Sequence, residues 1–145
     1  MLEGRFGDTT GRPYIEGRLI LPGQGLNSDI SFLVDTGADS SMLMPADALR
    51  IGLDYSKLAR RTESVGVGGT ARNYIEEAAL VYSEPGRFLY LYFVDLRIAA
   101  PSSEIMDLPS LLGRDVLDRW RMTYDPQRGE LRFRVRSADQ RMSIR

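Results

Sequence analysis

Apolar and polar residues alternate along most of this chain, and the alternation predicts many short β-strands. Residues 14–21 and 29–34 are two such segments, and the Pro22-Gly23-Gln24-Gly25 break between them indicates a hairpin. The other predicted strands share this alternation or are rich in β-branched and aromatic residues; they cover residues 61–65, 72–82, 88–94 and, as a hairpin, 122–135. The pattern therefore predicts an all-β fold, mainly strands with two short helices, in the form of a small closed or nearly closed β-barrel.

The two short helices are predicted between strands. The first covers residues 45–52, because Pro45 is favoured in the first turn of a helix and Gly52 at its C-terminal end. The second covers residues 116–120, which have an amphipathic pattern. Met122, just after this helix, is predicted to lie in the core.

The chain length fits a single domain. It has 145 residues, and neither a long internal repeat nor a low-complexity linker divides them. One domain is therefore predicted over residues 1–145. Residues 1–12 are polar and rich in glycine, and they are predicted to form a flexible arm, whereas residues 136–145 form a C-terminal extension after the last hairpin.

The composition removes several kinds of active site. The chain has no histidine and no cysteine, which excludes Ser-His-Asp triads, Cys-His dyads, HExxH zinc sites and thiolate metal sites. Carboxylates are therefore the leading candidates for acid–base chemistry near neutral pH. The formal net charge of −1 gives no global field toward nucleic acid. No apolar segment reaches the roughly 18 residues that span a bilayer, so neither a nucleic-acid nor a membrane partner is expected, and the expected location is the cytoplasm.

One carboxylate stands in an unusual place, at the end of an apolar strand. Asp35 follows residues 32–34, Phe-Leu-Val, and is followed by Thr36 and Gly37. Glycine permits a tight turn that a Cβ would obstruct, and the threonine hydroxyl is expected to help hold that turn. The strand anchors the carboxylate, so the segment is predicted to present Asp35 at a fixed place in a cleft.

A single carboxylate does not complete peptide hydrolysis. One group must take a proton from water while another gives one to the carbonyl oxygen, and two aspartates held close together share one proton for this purpose. The chain has no second Asp-Thr-Gly; residues 8–11, Asp-Thr-Thr-Gly, follow no apolar strand and are interpreted as a polar turn. The second carboxylate is therefore predicted to be Asp35 of a second copy, across the two-fold axis of a homodimer.

The order of these motifs resembles the retropepsins, the single-domain dimeric aspartic proteases of retroviruses and their cellular relatives. The matching stretches are the hairpin over residues 14–34, Asp35-Thr36-Gly37-Ala38-Asp39, Gly66-Val67-Gly68-Gly69 and Leu111-Leu112-Gly113-Arg114-Asp115. The resemblance covers roughly residues 13–135. It implies a retropepsin-like acid protease barrel with one lobe per chain.

The resemblance also implies roles for individual residues. Asp35 would be the catalytic aspartate, with Thr36 and Gly37 beside it in the catalytic motif. Thr36 would join a hydrogen-bond network between the two active-site loops, and Gly37, Ala38 and Asp39 would contact the substrate backbone.

A flap and a supporting segment complete the site that the resemblance implies. The flap is the glycine-rich turn, whose substrate-contacting residues would be Val67, Gly68 and Gly69. The support of the site would come from Leu112, Gly113 and the pair of Arg114 with Asp39, for which a buried ion pair is expected. Val34, Val67 and Leu112 are expected at the cleft walls.

Two features depart from the viral members. Their C-terminal strand ends the chain and interleaves with that of the partner, whereas residues 136–145 continue beyond it here. A helix predicted over residues 53–58 also makes the segment before the flap longer. The dimer contact and the cleft are therefore expected to be arranged differently.

The sequence accordingly predicts a homodimeric aspartic endopeptidase that acts on peptides or proteins and needs no metal or organic cofactor. The alternative is a non-catalytic dimerisation or peptide-binding module with the same fold. A metal site formed by Asp35 and Asp39 is disfavoured, because two acids on one turn supply too few ligands.

Overall fold

The computed structural model describes residues 1–58, 60–66 and 69–144. Its strands are β1 (Leu2–Glu3), β2 (Arg5–Phe6), β3 (Pro13–Leu21), β4 (Leu26–Val34), β5 (Met42–Leu43), β6 (Arg60–Gly66), β7 (Gly69–Glu84), β8 (Phe88–Ala99), β9 (Leu111–Leu112), β10 (Trp120–Asp125), β11 (Glu130–Val135) and β12 (Gln140–Ser143). Its α-helices are α1 (Pro45–Ile51) and α2 (Arg114–Leu117). Short 3₁₀ turns cover Pro22–Gln24, Tyr55–Lys57, Ser103–Ile105 and Pro126–Arg128.

Six strands close into a barrel. Around the barrel β7 pairs with β3, then follow β4, β9, β5 and β8, and β8 pairs again with β7. Two of these pairings, β4 with β9 and β5 with β8, are parallel, and the others are antiparallel. Apolar side chains from alternate positions fill the interior, among them Phe32, Leu80 and Ile98, none of which is exposed to solvent. The predicted all-β fold and closed β-barrel are confirmed.

A second, three-stranded sheet lies beside the barrel in the order β1, β11, β10. It shares its core with the barrel through Trp120, whose ring packs edge-on against Tyr82 at 4.9 Å and lies 5.1 Å from the ring of Phe133. The structure corrects the expectation of a flexible arm over residues 1–12: β1 pairs with β11, β2 pairs with β3, and Leu2 is 2% exposed. One buried leucine and two short pairings anchor a segment whose composition is otherwise polar.

The helices follow the prediction at one site and depart from it at another. Helix α1 ends at Gly52, which takes the left-handed conformation at φ 82° that favours glycine there. Helix α2 covers Arg114–Leu117 rather than residues 116–120, because Trp120 already pairs with Val135 as the first residue of β10. The predicted helix over residues 53–58 is only a 3₁₀ turn.

The C-terminal extension folds back onto the barrel. Strand β12 pairs antiparallel with the first half of β8, from Gln140 opposite Leu91 to Ser143 opposite Phe88. Asp139 holds this extension against β8, since its carboxylate accepts hydrogen bonds from the Phe93 N–H at 2.7 Å and from Arg119 at 2.8 Å. Both bonds lower the pKa of Asp139, and the bond from the Phe93 N–H has the larger effect. Within the described ranges, no helix is long and apolar enough to cross a bilayer.

Candidate active site

Asp35 stands where a buried barrel strand ends. Phe32 and Val34 on β4 point into the core, with exposures of 0% and 8%, so the strand is held firmly up to the residue before the acid. Strand β9 runs parallel beside it, and the Asp35 N–H donates to the Leu112 carbonyl at 3.0 Å. The backbone of Asp35 is therefore positioned by the barrel rather than by a loose loop.

The chain reverses immediately behind the acid. The Gly37 N–H donates to Asp35 Oδ1 at 2.9 Å, and the Ala38 N–H donates to the Asp35 carbonyl at 3.2 Å. Among the described residues no donor reaches Asp35 Oδ2, and the half-buried carboxylate lies beside the exposed Thr36 and Gly37. The Thr36 side chain makes no hydrogen bond in the described part of the chain, which differs from the expectation that its hydroxyl holds this turn. One carboxylate oxygen is thus fixed while the other remains open at the surface.

A second segment, just after β9, contacts the loop that follows Asp35. The Arg114 N–H donates to the Ala38 carbonyl at 2.8 Å. Gly113 is required there because a Cβ would lie 2.6 Å from the Ser40 carbonyl carbon and 2.9 Å from the Ala38 oxygen. The two motifs of the sequence, 75 residues apart from Asp39 to Arg114, therefore meet at one point on the barrel.

The expected pairing of Asp39 with Arg114 is present, but it lies at the surface. Arg114 Nη2 contacts Asp39 Oδ1, and the two side chains are 46% and 84% exposed. The expectation of a buried ion pair is therefore corrected for the single chain. A pair this exposed contributes little to stability in water, on the order of 0–1 kcal/mol, and both charges remain accessible to a ligand or a second chain.

Comparisons with known proteins agree with this geometry. An aspartyl protease family model matches residues 21–81, a stretch that includes the Asp35 turn. Among solved structures, the crystal structure of a retropepsin-like aspartic protease from Rickettsia conorii covers 90% of this chain and 95% of its own, with a TM-score of 0.54 and 23% identity. The chain has a retropepsin-like fold. The family match and the fold confirm the resemblance drawn from the motifs, and the family match supports a protease-type function.

A second solved structure also matches the retropepsin-like chain. It is EIAV protease complexed with the inhibitor HBY-793, which covers 77% of this chain and 90% of its own, with a TM-score of 0.48 and 23% identity. No curated protein matched the chain.

The predicted flap falls mostly outside the described residues. Val67 and Gly68 lie outside them, whereas Gly69 begins β7 and pairs with Gly66 at the end of β6. Strands β6 and β7 therefore run antiparallel as far as Gly66 and Gly69. The substrate contacts expected of Val67, Gly68 and Gly69 stay a prediction.

The expected cleft walls need correction. Leu112 is 0% exposed and Val34 is 8% exposed, and both belong to the core of the retropepsin-like barrel. The parallel pairing of β4 and β9 turns these two side chains inward. The Leu112 carbonyl accepts from the Asp35 N–H, and the role of Leu112 in supporting the site stays a prediction.

Hydrogen bonds between Ser41 and Asp115 join the segment after Asp35 to the segment after β9. The sequence analysis gave neither residue a role in the site. The Ser41 hydroxyl donates to Asp115 Oδ1 at 2.7 Å and accepts from the Gly113 N–H at 3.0 Å, while the Ser41 N–H donates to Asp115 Oδ2 at 2.9 Å. Ser41 is fully buried. The signal for Asp115 was its place in the Leu-Leu-Gly-Arg-Asp motif; nothing in the local sequence marks Ser41.

A second buried serine joins α1 to the same pair of strands. The Ser110 hydroxyl donates to Asp47 at 2.7 Å and accepts from the Met44 N–H at 3.0 Å, and the Ser110 carbonyl accepts from the Leu33 N–H at 2.8 Å. Ser110 is also fully buried. These bonds fix the start of β9 against β4 two residues before Asp35, and they too had no sequence signal.

The acids near the site do not form a metal centre of the usual kind. Among the residues that the structure describes, no three aspartates or glutamates come together in a way that could hold a metal ion. The arrangement that the described residues do show is one oriented carboxylate on an exposed turn.

Proposed function

We propose that this retropepsin-like chain is an aspartic endopeptidase whose active form is a homodimer. The observation that carries the proposal is the state of Asp35: one oxygen is bound by the Gly37 N–H and the other is open on an exposed turn. That is the arrangement of a carboxylate held in position for a proton transfer. The aspartyl protease family match over this turn supports the same reading.

The second carboxylate is the Asp35 of a second copy. Two carboxylates facing each other across a two-fold axis share one proton, because both ionise together only at high cost. The ionised one takes a proton from a water between them, and the protonated one donates to the oxygen of the scissile carbonyl. The water oxygen attacks the carbonyl carbon and gives a tetrahedral diol. The carboxyl that took the water proton then gives it to the nitrogen, while the other carboxylate takes a proton back from a hydroxyl of the diol; the C–N bond breaks, and the amine and the new carboxylic acid leave. No metal or organic cofactor takes part in this proposal.

The residues around Asp35 then have positioning roles. The exposed turn from Gly37 to Asp39 would bind the extended substrate backbone, and Arg114 would hold Asp39 in place through their ion pair. Thr36, exposed and without a partner in the described part of the chain, would hydrogen-bond across the two-fold axis to the other active-site loop.

The hairpin of β6 and β7 would serve as the flap. Its strands pair continuously from Arg60 opposite Ile75 to Gly66 opposite Gly69, so its glycine-rich end lies at the tip of a long two-stranded ribbon. Closure of such a lid over a bound peptide would exclude water and bring Val67 and Gly68 to the substrate. We further propose that the whole length, residues 1–145, forms one domain, because the barrel and the small sheet share one core.

The test is cleavage of a mixed peptide library at about pH 5, where a dyad carrying one proton is expected to be most active. The native chain is compared with Asp35→Asn, which keeps the shape of the side chain and removes its charge. Asp8→Asn is the matched control, since Asp8 stands in the similar Asp-Thr-Thr-Gly segment but lies in an exposed turn.

The expected result is cleavage by the native chain and by Asp8→Asn, with at least a hundredfold loss in Asp35→Asn, the scale at which acid–base groups contribute. Equal cleavage by all three variants would refute the catalytic role of Asp35. No cleavage by any variant, at concentrations where the native chain is dimeric, would instead favour the non-catalytic peptide-binding module.

A further inference from the structure

A shallow groove with an exposed aromatic ring lies on the outer face of the barrel, where β7 pairs with β8. Its volume is about 420 Å³, and its lining includes Pro22, Glu77, Ala79, Phe93 and Asp95. Phe93 is 56% exposed, although it stands in the middle of a long strand. One exposed apolar side chain is ordinary on a protein surface, so the neighbours of Phe93 decide what the groove can bind.

The floor of the groove is apolar. Phe93 lies directly opposite Ala79 on β7, which is 7% exposed. Because alanine ends at its Cβ, it fills little of the space beside the larger ring. Pro22, which begins the turn between β3 and β4, adds a further apolar surface. An unbranched aliphatic chain can therefore lie over Ala79 and against the Phe93 ring.

Two carboxylates stand at one end of this floor. Glu77 and Asp95 lie directly opposite each other, and both side chains are exposed. Each is two residues from the Ala79–Phe93 pair along its own strand, so all four side chains share one face of the sheet. The two pairs are about 6.5 Å apart along the strands. The groove thus joins an apolar floor to two acidic groups.

The strand pairing brings the two carboxylates close together. The N–H groups of Phe93 and Arg97 bind acceptors on the side of β8 away from β7. Asp95 lies between them with the same orientation, so Asp95 and Glu77 form a non-hydrogen-bonded pair, with Cα atoms about 4.5 Å apart. Like charges in directly opposite positions destabilise a sheet. A cation bound between them would remove this repulsion.

Glu77 has no partner of its own in the described part of the chain, where it makes neither a hydrogen bond nor an ion pair. Arg97 is on the same face of β8, but it lies opposite Ile75 rather than opposite Glu77. A divalent metal ion is a poor occupant, because calcium takes roughly six to eight oxygen ligands and no three acids of the described residues come together. The groove suits an organic cation with an apolar stem.

We propose that this groove docks an arginine side chain carried by an extended, basic segment of a partner protein. The aliphatic stem packs over Ala79 against the Phe93 ring, and the guanidinium lies between Glu77 and Asp95. A planar guanidinium donates to two carboxylates at once and is attracted by an aromatic face. The docking site does not involve Asp35 and does not depend on the proposed function.

The first test is isothermal titration calorimetry at neutral pH with a decapeptide of alternating arginine and threonine. The chain carries Asp35→Asn, so that cleavage through Asp35 does not consume the peptide. The matched peptide has citrulline, a neutral residue of nearly the same shape, in place of every arginine. We expect the arginine peptide to bind about tenfold or more tightly than the citrulline peptide, and its binding to weaken as salt is added.

Substitutions in the groove separate binding from folding. Glu77→Gln should weaken binding of the arginine peptide about tenfold, while the thermal midpoint stays unchanged or rises, because the repulsion with Asp95 is relieved. Glu16→Gln is the matched control, since Glu16 is an exposed glutamate on β3 outside this groove, and it should bind the peptide as the parent chain does. Phe93→Leu keeps an apolar side chain without the ring and should weaken binding about two- to fivefold.

Amide NMR spectra of the labelled chain locate the bound peptide. The signals of Ala79 and Phe93 should shift when the arginine peptide is added. Shifts confined to the Asp35 turn, or equal binding by Glu77→Gln and Glu16→Gln, would overturn the docking site. A change in the sedimentation of Glu77→Gln without peptide would also overturn it, because the groove would then be a contact between two copies. Failure of the native chain to cleave peptides bears on Asp35 alone and leaves these binding results as they are.

Discussion

Replacement of Ser41 by alanine tests how the Asp35 loop is supported. The Ser41 hydroxyl is fully buried; it donates to Asp115 Oδ1 at 2.7 Å and accepts from the Gly113 N–H at 3.0 Å. Ser41→Ala removes both bonds and leaves a buried N–H without an acceptor. Since Gly113 and Asp115 follow β9, the change loosens the contact between the two segments that meet at the catalytic turn.

The expected loss of stability follows from the two groups that lose a hydrogen bond, the Gly113 N–H and the Asp115 carboxylate. A buried donor without an acceptor costs about 1–3 kcal/mol, and a hydrogen bond to a charged group contributes about 1.5–3 kcal/mol. The Ser41 N–H keeps its bond to Asp115 Oδ2, so the two losses overlap rather than add in full. We expect Ser41→Ala to lower the free energy of unfolding by about 2–4 kcal/mol.

The measurement is urea unfolding followed by tryptophan fluorescence of Trp120, at one protein concentration because a homodimer's midpoint depends on it. With a denaturant slope of about 2 kcal/mol per molar, the midpoint should fall by about 1–2 M. Ser56→Ala is the matched control: Ser56 also donates to a carboxylate, Asp54 at 2.6 Å, but both side chains are exposed. Its expected cost is below about 0.5 kcal/mol.

Equal midpoints for Ser41→Ala and Ser56→Ala would refute the reasoning, because the Ser41 hydroxyl is buried and also accepts from the Gly113 N–H, whereas the Ser56 hydroxyl is exposed and only donates. A large loss of stability in Ser56→Ala would do the same. If Ser41→Ala is destabilised as expected, it should also lose peptide cleavage beyond what its unfolded fraction explains, since it perturbs the support of Asp35.

Three further outcomes are expected. Tyr82→Phe should leave the thermal midpoint unchanged or raised, because the buried Tyr82 hydroxyl has no hydrogen-bond partner among the described residues. Tyr92→Phe should lower the free energy of unfolding by about 1–3 kcal/mol, because the Tyr92 hydroxyl loses its bonds with Trp120 at 2.7 Å and Ser137 at 2.8 Å. A melting experiment in which Tyr82→Phe is the less stable of the two would contradict this. Gly113→Ala should lower both stability and cleavage, since its Cβ would meet backbone atoms at 2.6 Å, and a native-like melt would show that the loop yields. Asp139→Asn should destabilise the fold by roughly 1 kcal/mol at pH 7. Folding lowers the pKa of Asp139, so its ionised carboxylate stabilises the fold above the ordinary aspartate pKa of about 3.9. That stabilisation is lost as the pH falls through the pKa of Asp139 in the folded chain. The unfolding midpoints of the native chain and Asp139→Asn should therefore converge in acid.

Much of the architecture could be read from local patterns. Alternation over residues 14–21 and 29–34, with a Pro-Gly break between them, predicts β3 and β4, which the structure joins as a hairpin. Proline and glycine at the two ends of α1 predict its limits within one residue. These signals are local because a strand or a helix end depends on the residues within a few positions.

The candidate chemistry could also be predicted from the sequence. A chain without histidine or cysteine leaves carboxylates for acid–base work, and Asp35 is the acid that follows an apolar strand and precedes a glycine turn. The absence of a second such motif led to the expectation of a second copy. Those inferences need only residue types and their order.

Contacts between distant segments were decided by the tertiary structure alone. The burial of Leu2 depends on β1 meeting β11, and the bond of Ser41 to Asp115 joins residues 74 positions apart. Gly17 looks replaceable in its strand, yet a Cβ there would lie 2.6 Å from the Tyr82 ring. Met122 reads as a core residue but lies on an open edge. Hydrophobic periodicity specifies which face of a strand turns inward, whereas the neighbour on each side, and where the core ends, depend on how the whole barrel closes.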